Sequence, residues 1–278
     1  MSIIIQLIPD RTPSPRRTLM STALITGASG GIGAVYADRL AARGHHLVLV
    51  ARSTGKLDAL AHDLRTRYGI EAETITADLS DPAQVRGVAD RIRTGTPIDI
   101  LINNAGTNTA AGFIGAADAE LEGLIGLNMT APTLLAHAAV AGMAARGAGA
   151  IVNIGSVVGL ATELVPGIYG ATKAYLLTFS QALAHEFGPS GIYVQAVLPG
   201  ATRTDIWRHS GQDVSRLDGL MEVGDLVDAA LAGFDRKEAV TLPSLPDDGQ
   251  WHAFESARAA MRPNFANSRP ASRYLVHS

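Results

Sequence analysis

The sequence has no cysteine among its 278 residues. That excludes disulfides, thiolate nucleophiles and cysteine-ligated metals, and it suits a reducing compartment, so a cytoplasmic location is expected. An excess of charge of one sign is also missing: 23 basic and 26 acidic side chains leave a net charge of −3. With neither a basic stripe nor a block of like charge, neither nucleic acid nor a membrane surface is an expected partner. The apolar run from Ile3 to Ile8 is too short to span a bilayer and has no basic residues before it. The eight histidines are scattered without metal-ligand spacing, so no metal is expected; His45 and His46, between a helix and a strand, read as surface residues. Internal repeats and low-complexity tracts are absent.

What is present is alternation. Short apolar runs read as buried parallel strands: ALIT from Ala23, LVLV from Leu47, ETIT from Glu73 and IDILIN from Ile98. AIVNIG from Ala150, YVQAVL from Tyr193 and AVTLPSL from Ala239 complete seven. Helical patterns fall between them at about 31–43, 54–68, 82–94, 118–146, 169–187 and 223–234, with Asp81-Pro82 marking one start. The order predicts an α/β, Rossmann-like fold, a doubly wound parallel sheet of about seven strands with helices on both faces. Residues 1–19, rich in proline and arginine, read as a disordered extension. Residues 20–278 read as one domain, with a helical extension from about 247 in which Trp251, Phe254 and Met261 pack on the body or on another subunit.

The first strand runs into TGASGGIG, where Gly27, Gly31 and Gly33 open a helix. Glycines let the backbone turn sharply and approach a ligand, and the free N–H groups of a helix start favour a pyrophosphate. The spacing, GxxxGxG, differs from the GxGxxG of other dinucleotide folds. Arg52 ends the second strand where NAD enzymes usually carry an acid; a guanidinium there attracts a ribose 2′-phosphate. Ser29 offers a hydroxyl to the same group. Asp78-Leu79 follows the third strand, placed to flank an adenine. NNAG ends the fourth, with Asn103 structural and Asn104, Ala105 and Gly106 lining the ribose side.

Tyr169 and Lys173 stand four apart on a helical stretch and so share a face. A phenol of pKa about 10 is a poor acid–base group at neutral pH, and a cation beside it favours the phenolate. Ser156, closing the strand AIVNIGS, offers a hydroxyl to the same substrate oxygen. Such a YxxxK pair alone occurs by chance in many helices; the preceding motifs give it weight. Asn128 in GLIGLNMTAPTLLAH either caps or kinks its helix near Pro132 or faces the Tyr169–Lys173 pair.

TGASGGIG at 26–33, Asp78-Leu79, NNAG at 103–106, Asn128, Ser156, Tyr169-xxx-Lys173 and Pro199-Gly200 with Thr202 occur in the order and spacing of one family. Over roughly residues 20–245 the chain resembles the short-chain dehydrogenase/reductases, in their short single-domain, NADP-preferring branch. The resemblance implies NADP(H) held by Gly27, Ser29, Gly31, Ile32, Gly33, Arg52, Asp78, Leu79, Asn104, Ala105 and Gly106. It also implies contacts from Tyr169, Lys173, Pro199, Gly200 and Thr202. Tyr169 would be the general acid/base, Lys173 would lower its pKa, Ser156 would position the carbonyl, and Asn128 would hold a water. Hydride transfer between the nicotinamide and a ketone, aldehyde or secondary alcohol follows, with a homodimer or homotetramer formed through helices 118–146 and 169–187. A dehydratase or epimerase, or a non-catalytic nucleotide sensor, are the alternatives. The segment 201–222, with Ile206, Trp207, Arg203 and Arg208, reads as a lid, its arginines either solvent-facing or anion-binding. Nothing selects the substrate.

Overall fold

The computed structural model describes residues 21–109, 112–165, 167–204 and 219–275. The stretch 1–19 and the Ile206, Trp207 and Arg208 side chains of the expected lid lie outside them. Seven strands form one parallel sheet: β1 (Thr22–Thr26), β2 (His46–Ala51), β3 (Ala72–Thr76), β4 (Ile100–Asn103), β5 (Gly149–Ile154), β6 (Ile192–Val197) and β7 (Val240–Thr241). Their order is β3-β2-β1-β4-β5-β6-β7. The winding direction reverses between β1 and β4, which opens a crevice beyond the carboxyl ends of those two strands.

Every residue of β1 is buried, because helices cover both faces of the sheet. On one face α1 (Gly31–Ala42), α2 (Thr54–Tyr68) and α7 (Val223–Asp235) pack through Tyr36, Leu40, Leu57, Leu64 and Val227. On the other lie α3 (Pro82–Thr94), α5 (Ala131–Arg146) and α6 (Tyr169–Phe187), meeting the sheet through Val85, Leu135, Met143 and Leu183. Asp81 caps α3 by accepting from the Ala83 N–H at 2.7 Å, with Pro82 in the first turn. Bidentate pairs Arg39–Asp228 and Arg43–Asp235 clasp α1 to α7.

Three elements differ from the sequence reading. Ile98 and Asp99 precede β4; the Asp99 carboxylate is taken by the Thr22 N–H at 2.9 Å. The seventh strand stops after two residues, just before Pro243, which has no N–H for a ladder. The long helix expected over 118–146 is α4 (Asp118–Ile125), a π-helical turn (Gly126–Thr130) and α5. Pro132 explains the turn: it has no donor for the carbonyl four residues back, that of Asn128, and a wider turn absorbs the mismatch. The 118–146 run is long and apolar enough to cross a membrane, but half of its most apolar window is buried in the body.

Candidate active site

The crevice at the switch point is a cleft of 840 Å³. Its floor is the glycine-rich turn. Gly27 adopts φ +67°, and a Cβ there would lie 2.8 Å from Asn104 Nδ2. A Cβ on Gly33 would come within 2.6 Å of the same nitrogen and closer still to the Gly27 carbonyl. Gly33 is therefore a packing residue behind the turn, whereas Gly27, Ser29, Gly31 and Ile32 face the cleft. No side chain caps α1, which leaves its first N–H groups for a ligand.

Thr26 holds this floor to β4. Its hydroxyl accepts from the backbone N–H groups of Asn104 and Ala105, both at 2.9 Å. The Asn104 amide in turn donates to the Thr26 carbonyl at 2.9 Å. Asn104 thus braces the loop with its side chain and, with Ala105 and Gly106, lines the cleft. Asn103 is buried and donates to Asn153 Oδ1 at 2.9 Å, tying β4 to β5, and Asn153 donates on to Ser180 in α6 at 2.8 Å.

At the outer end of the cleft Arg52 is exposed and, among the described residues, takes part in no hydrogen bond or salt bridge. Lys56, in the first turn of α2, lines the same end. Sequence reasoning missed Lys56, though a second cation four residues after Arg52 was the available signal. Asp78 also lies there; its carboxyl is held below the ordinary range by the Ser80 hydroxyl and N–H, with Arg52 adding to the effect. The Leu79 side chain is buried in the core beneath it.

The second cluster sits over the carboxyl ends of β4, β5 and β6. Lys173 is buried, and its Nζ donates to the Ile154 carbonyl at 2.9 Å and lies 5.6 Å from the centre of the Tyr169 ring. Burial lowers the Lys173 pKa to about 8 and raises that of half-buried Tyr169 to about 12. The sequence reading expected a phenol made more acidic by its neighbour; burial acts on Tyr169 in the opposite direction. Asn128, on the π-helical turn, is buried. Its Oδ1 accepts from the Thr107 N–H at 2.9 Å, and its Nδ2 donates to the Thr107 carbonyl at 2.9 Å and to the Thr172 hydroxyl at 3.1 Å. Gly106 lies between the two groups: a Cβ there would stand 3.3 Å from Asn128 Oδ1 and 3.5 Å from Lys173 Nζ. Asn128 is thereby on the Lys173 side of the helix.

Ser156 donates to the Pro199 carbonyl at 3.3 Å and accepts from the Val158 N–H at 3.3 Å. The turn after it packs on α6; a Cβ on Gly159 would meet the Ala174 nitrogen at 2.8 Å. Pro199, Gly200 and Thr202 form the loop leaving β6, with the Thr202 hydroxyl donating to the Gly200 carbonyl at 3.0 Å. The described ends of the expected lid segment, 201–204 and 219–222, are hydrogen-bonded to each other. Arg203 N–H donates to the Met221 carbonyl at 3.0 Å and Met221 N–H to the Ala201 carbonyl at 2.9 Å. Arg203 is paired with Glu222 at 2.8 Å, which ties the same two ends. Thr204 leans over Gly31 and joins the cleft wall. Among the described residues no group of three His, Cys, Asp or Glu side chains has metal-site geometry.

The family profile of short chain dehydrogenases matches residues 21–215. A short-chain dehydrogenase from Sphingobium yanoikuyae, solved in complex with NADPH, is 52% identical over 92% of this chain and 100% of that one, with a TM-score of 0.90. The bulky-bulky ketone specific alcohol dehydrogenase of Comamonas testosteroni is 48% identical over 92% of this chain and 99% of its own, with a TM-score of 0.86. The very-long-chain 3-oxoacyl-CoA reductase of Mus musculus is 34% identical over 66% of this chain, and the match spans 60% of that relative's length. With the seven-stranded sheet, the glycine turn at the switch point and the Asn128–Tyr169–Lys173 cluster in place, the chain belongs to the short-chain dehydrogenase family of oxidoreductases.

Proposed function

We propose that the protein is an NADP(H)-dependent oxidoreductase that interconverts a ketone or aldehyde with a secondary alcohol, and that bulky ketones are among its substrates. The observation that carries this reading is the burial of Lys173 beside Tyr169, next to Gly106 in the wall of a cleft that also holds Arg52 and Lys56. The cleft fits a dinucleotide: two glycines admit no Cβ, the α1 start is uncapped, and two cations stand where a 2′-phosphate would lie. When bound, the nicotinamide supplies the hydride. The NADPH seen in the Sphingobium relative and the ketone specificity of the Comamonas relative both support the assignment.

The chain's own residues handle the proton. Tyr169, with a pKa raised to about 12, is fully protonated at neutral pH and so stands ready as a donor to a carbonyl oxygen. Ser156 turns its hydroxyl from the Pro199 carbonyl to the same oxygen and stabilises the charge that develops there. Lys173 supplies positive charge beside the phenol, and Asn128 holds Thr107 and Thr172 in place around it. A cytoplasmic location is part of the same reading.

The test is a panel of aliphatic, aryl and diaryl ketones followed by loss of NADPH absorbance, repeated with Tyr169→Phe. Turnover should fall about 10²–10⁴-fold in the variant with NADPH binding nearly unchanged. Equal turnover in variant and parent would remove Tyr169 from the chemistry. An absence of turnover across the panel, with NADPH still bound, would favour a nucleotide sensor.

A further inference from the structure

The C-terminal segment is bare. Helix α8 (Gly249–Ala260) is anchored by Trp251 against Leu177, Ala196 and Leu198 and by Glu255, which accepts from Gln181 at 3.2 Å. Beyond this anchor every residue from Ala259 to Leu275 is exposed, including Phe265 at 74% and Tyr274 at 67%. Two short 3₁₀ turns nevertheless give the segment a defined path, Arg262–Ala266 and Ser272–Tyr274. Its charge is all of one sign. Arg258, Arg262, Arg269 and Arg273 follow Glu255, the last acid in the chain. The whole chain carries −3, so the body up to Glu255 carries −7 against +4 for the segment.

Complementary residues follow the candidate active site in the chain, after Thr109 of the cleft wall and after Ser156. Phe113 and Ile114 on the loop after β4, and Leu160 and Leu164 on the loop after the neighbouring β5, are exposed, Ile114 completely. Asp118, Glu120, Glu122 and Glu163 neighbour these positions in the chain; all four are exposed and, among the described residues, none has an ion-pair partner. Between Arg93 and Lys173 the only lysine or arginine is Arg146, which is engaged with Asp99 and the Ile98 carbonyl. Exposed apolar patches of this kind mark contact surfaces, and opposite charge selects the partner.

We propose that residues 262–275 form an arm that seats on the acid-rimmed apolar ledge of a second copy of this chain, walling one side of that copy's active-site mouth. Both surfaces are bare in one chain, and a reciprocal exchange covers both at once, as a two-fold interface requires. Phe265 and Tyr274 meet the apolar ledge, and Arg269 and Arg273 meet its acids. The seat does not depend on the reaction proposed above.

The cysteine-free sequence permits a direct test on the full chain. Pairs of single variants, one tagged, are mixed and oxidised: Ile114→Cys or Leu164→Cys with Phe265→Cys or Tyr274→Cys. The expected result is a tagged–untagged disulfide dimer from at least one pair, forming about tenfold more slowly after Arg269→Glu with Arg273→Glu at low salt. High salt should slow it as well. No dimer from any of the four pairs overturns the proposal. So does an internal disulfide in a doubly substituted chain when the mixtures give none, because the arm then belongs to its own copy. Unchanged kinetics after the double arginine reversal would overturn the charge-guided seat.

Discussion

Asn128 donates to the Thr172 hydroxyl at 3.1 Å, which fastens the π-helical turn to α6 one residue before Lys173. The same amide satisfies both the N–H and the carbonyl of Thr107 at 2.9 Å. Three segments of chain, the loop after β4, the π-helical turn and the start of α6, meet at this one buried side chain. Its loss leaves several polar groups without partners away from water, which costs more than the removal of one hydrogen bond.

Asn128→Ala should therefore destabilise the fold by about 1–3 kcal/mol, and Thr172→Ala by only about 0.5–1.5 kcal/mol. Chemical denaturation of the two variants beside the parent measures both. If they cost the same, the three segments do not depend on the Asn128 amide beyond its single bond to Thr172. Turnover should fall in Asn128→Ala even where the fold is intact, since the surroundings of Lys173 lose their brace.

Gly33→Ala tests the floor of the cleft. The added methyl would face the Gly27 carbonyl and stand 2.6 Å from Asn104 Nδ2, which is held by hydrogen bonds to the Thr26 and Gly27 carbonyls. The turn should shift, and NADPH affinity should drop about tenfold or more, with overpacking adding about 1–3 kcal/mol of destabilisation. Unaltered NADPH affinity by fluorescence titration would mean that the turn tolerates a side chain at this position.

Much of this was legible in the chain itself. Strand–helix alternation gave the doubly wound sheet, because parallel strands buried on both faces must read as short apolar runs. The glycine spacing, Arg52 and the Tyr169–Lys173 pair could be placed because each is a local pattern. What stayed hidden depends on tertiary context. Thr26 and Thr172 act through partners 78 and 44 residues away, and no local signal marks a threonine for that role. The π-helical turn follows from a donor missing at Pro132, an effect that reads in sequence as a kink without a defined shape. The direction of the Tyr169 shift depends on how much water the folded chain excludes, which spacing does not encode.

Arg52→Asp and Lys56→Ala separate the two cations at the outer end of the cleft. Each charge-assisted contact to a phosphate is worth about 1.5–3 kcal/mol, so each variant should lose about 10–100-fold in kcat/KM for NADPH. Rates with NADH should change little in Lys56→Ala and rise relative to NADPH in Arg52→Asp, where the new carboxylate can hold a ribose hydroxyl. A constant NADPH/NADH ratio in both variants would place the phosphate elsewhere.

The pH dependence of reduction should report Lys173. Burial lowers its pKa to about 8, so the ammonium is complete below that pH and is lost as pH rises through it. Tyr169, raised to about 12, keeps its proton across the same window and remains a donor throughout. The limb that appears near pH 8 therefore belongs to loss of the cation. Measured as kcat/KM for NADPH, which reads the ionisation of the free enzyme, reduction should be level at neutral pH and fall tenfold for each unit above about 8. Lys173→Met removes the titrating group, so its low residual activity should show no such limb. A limb that survives in that variant would have to come from a different ionisation, and Lys173 would then be a structural cation held by the Ile154 carbonyl.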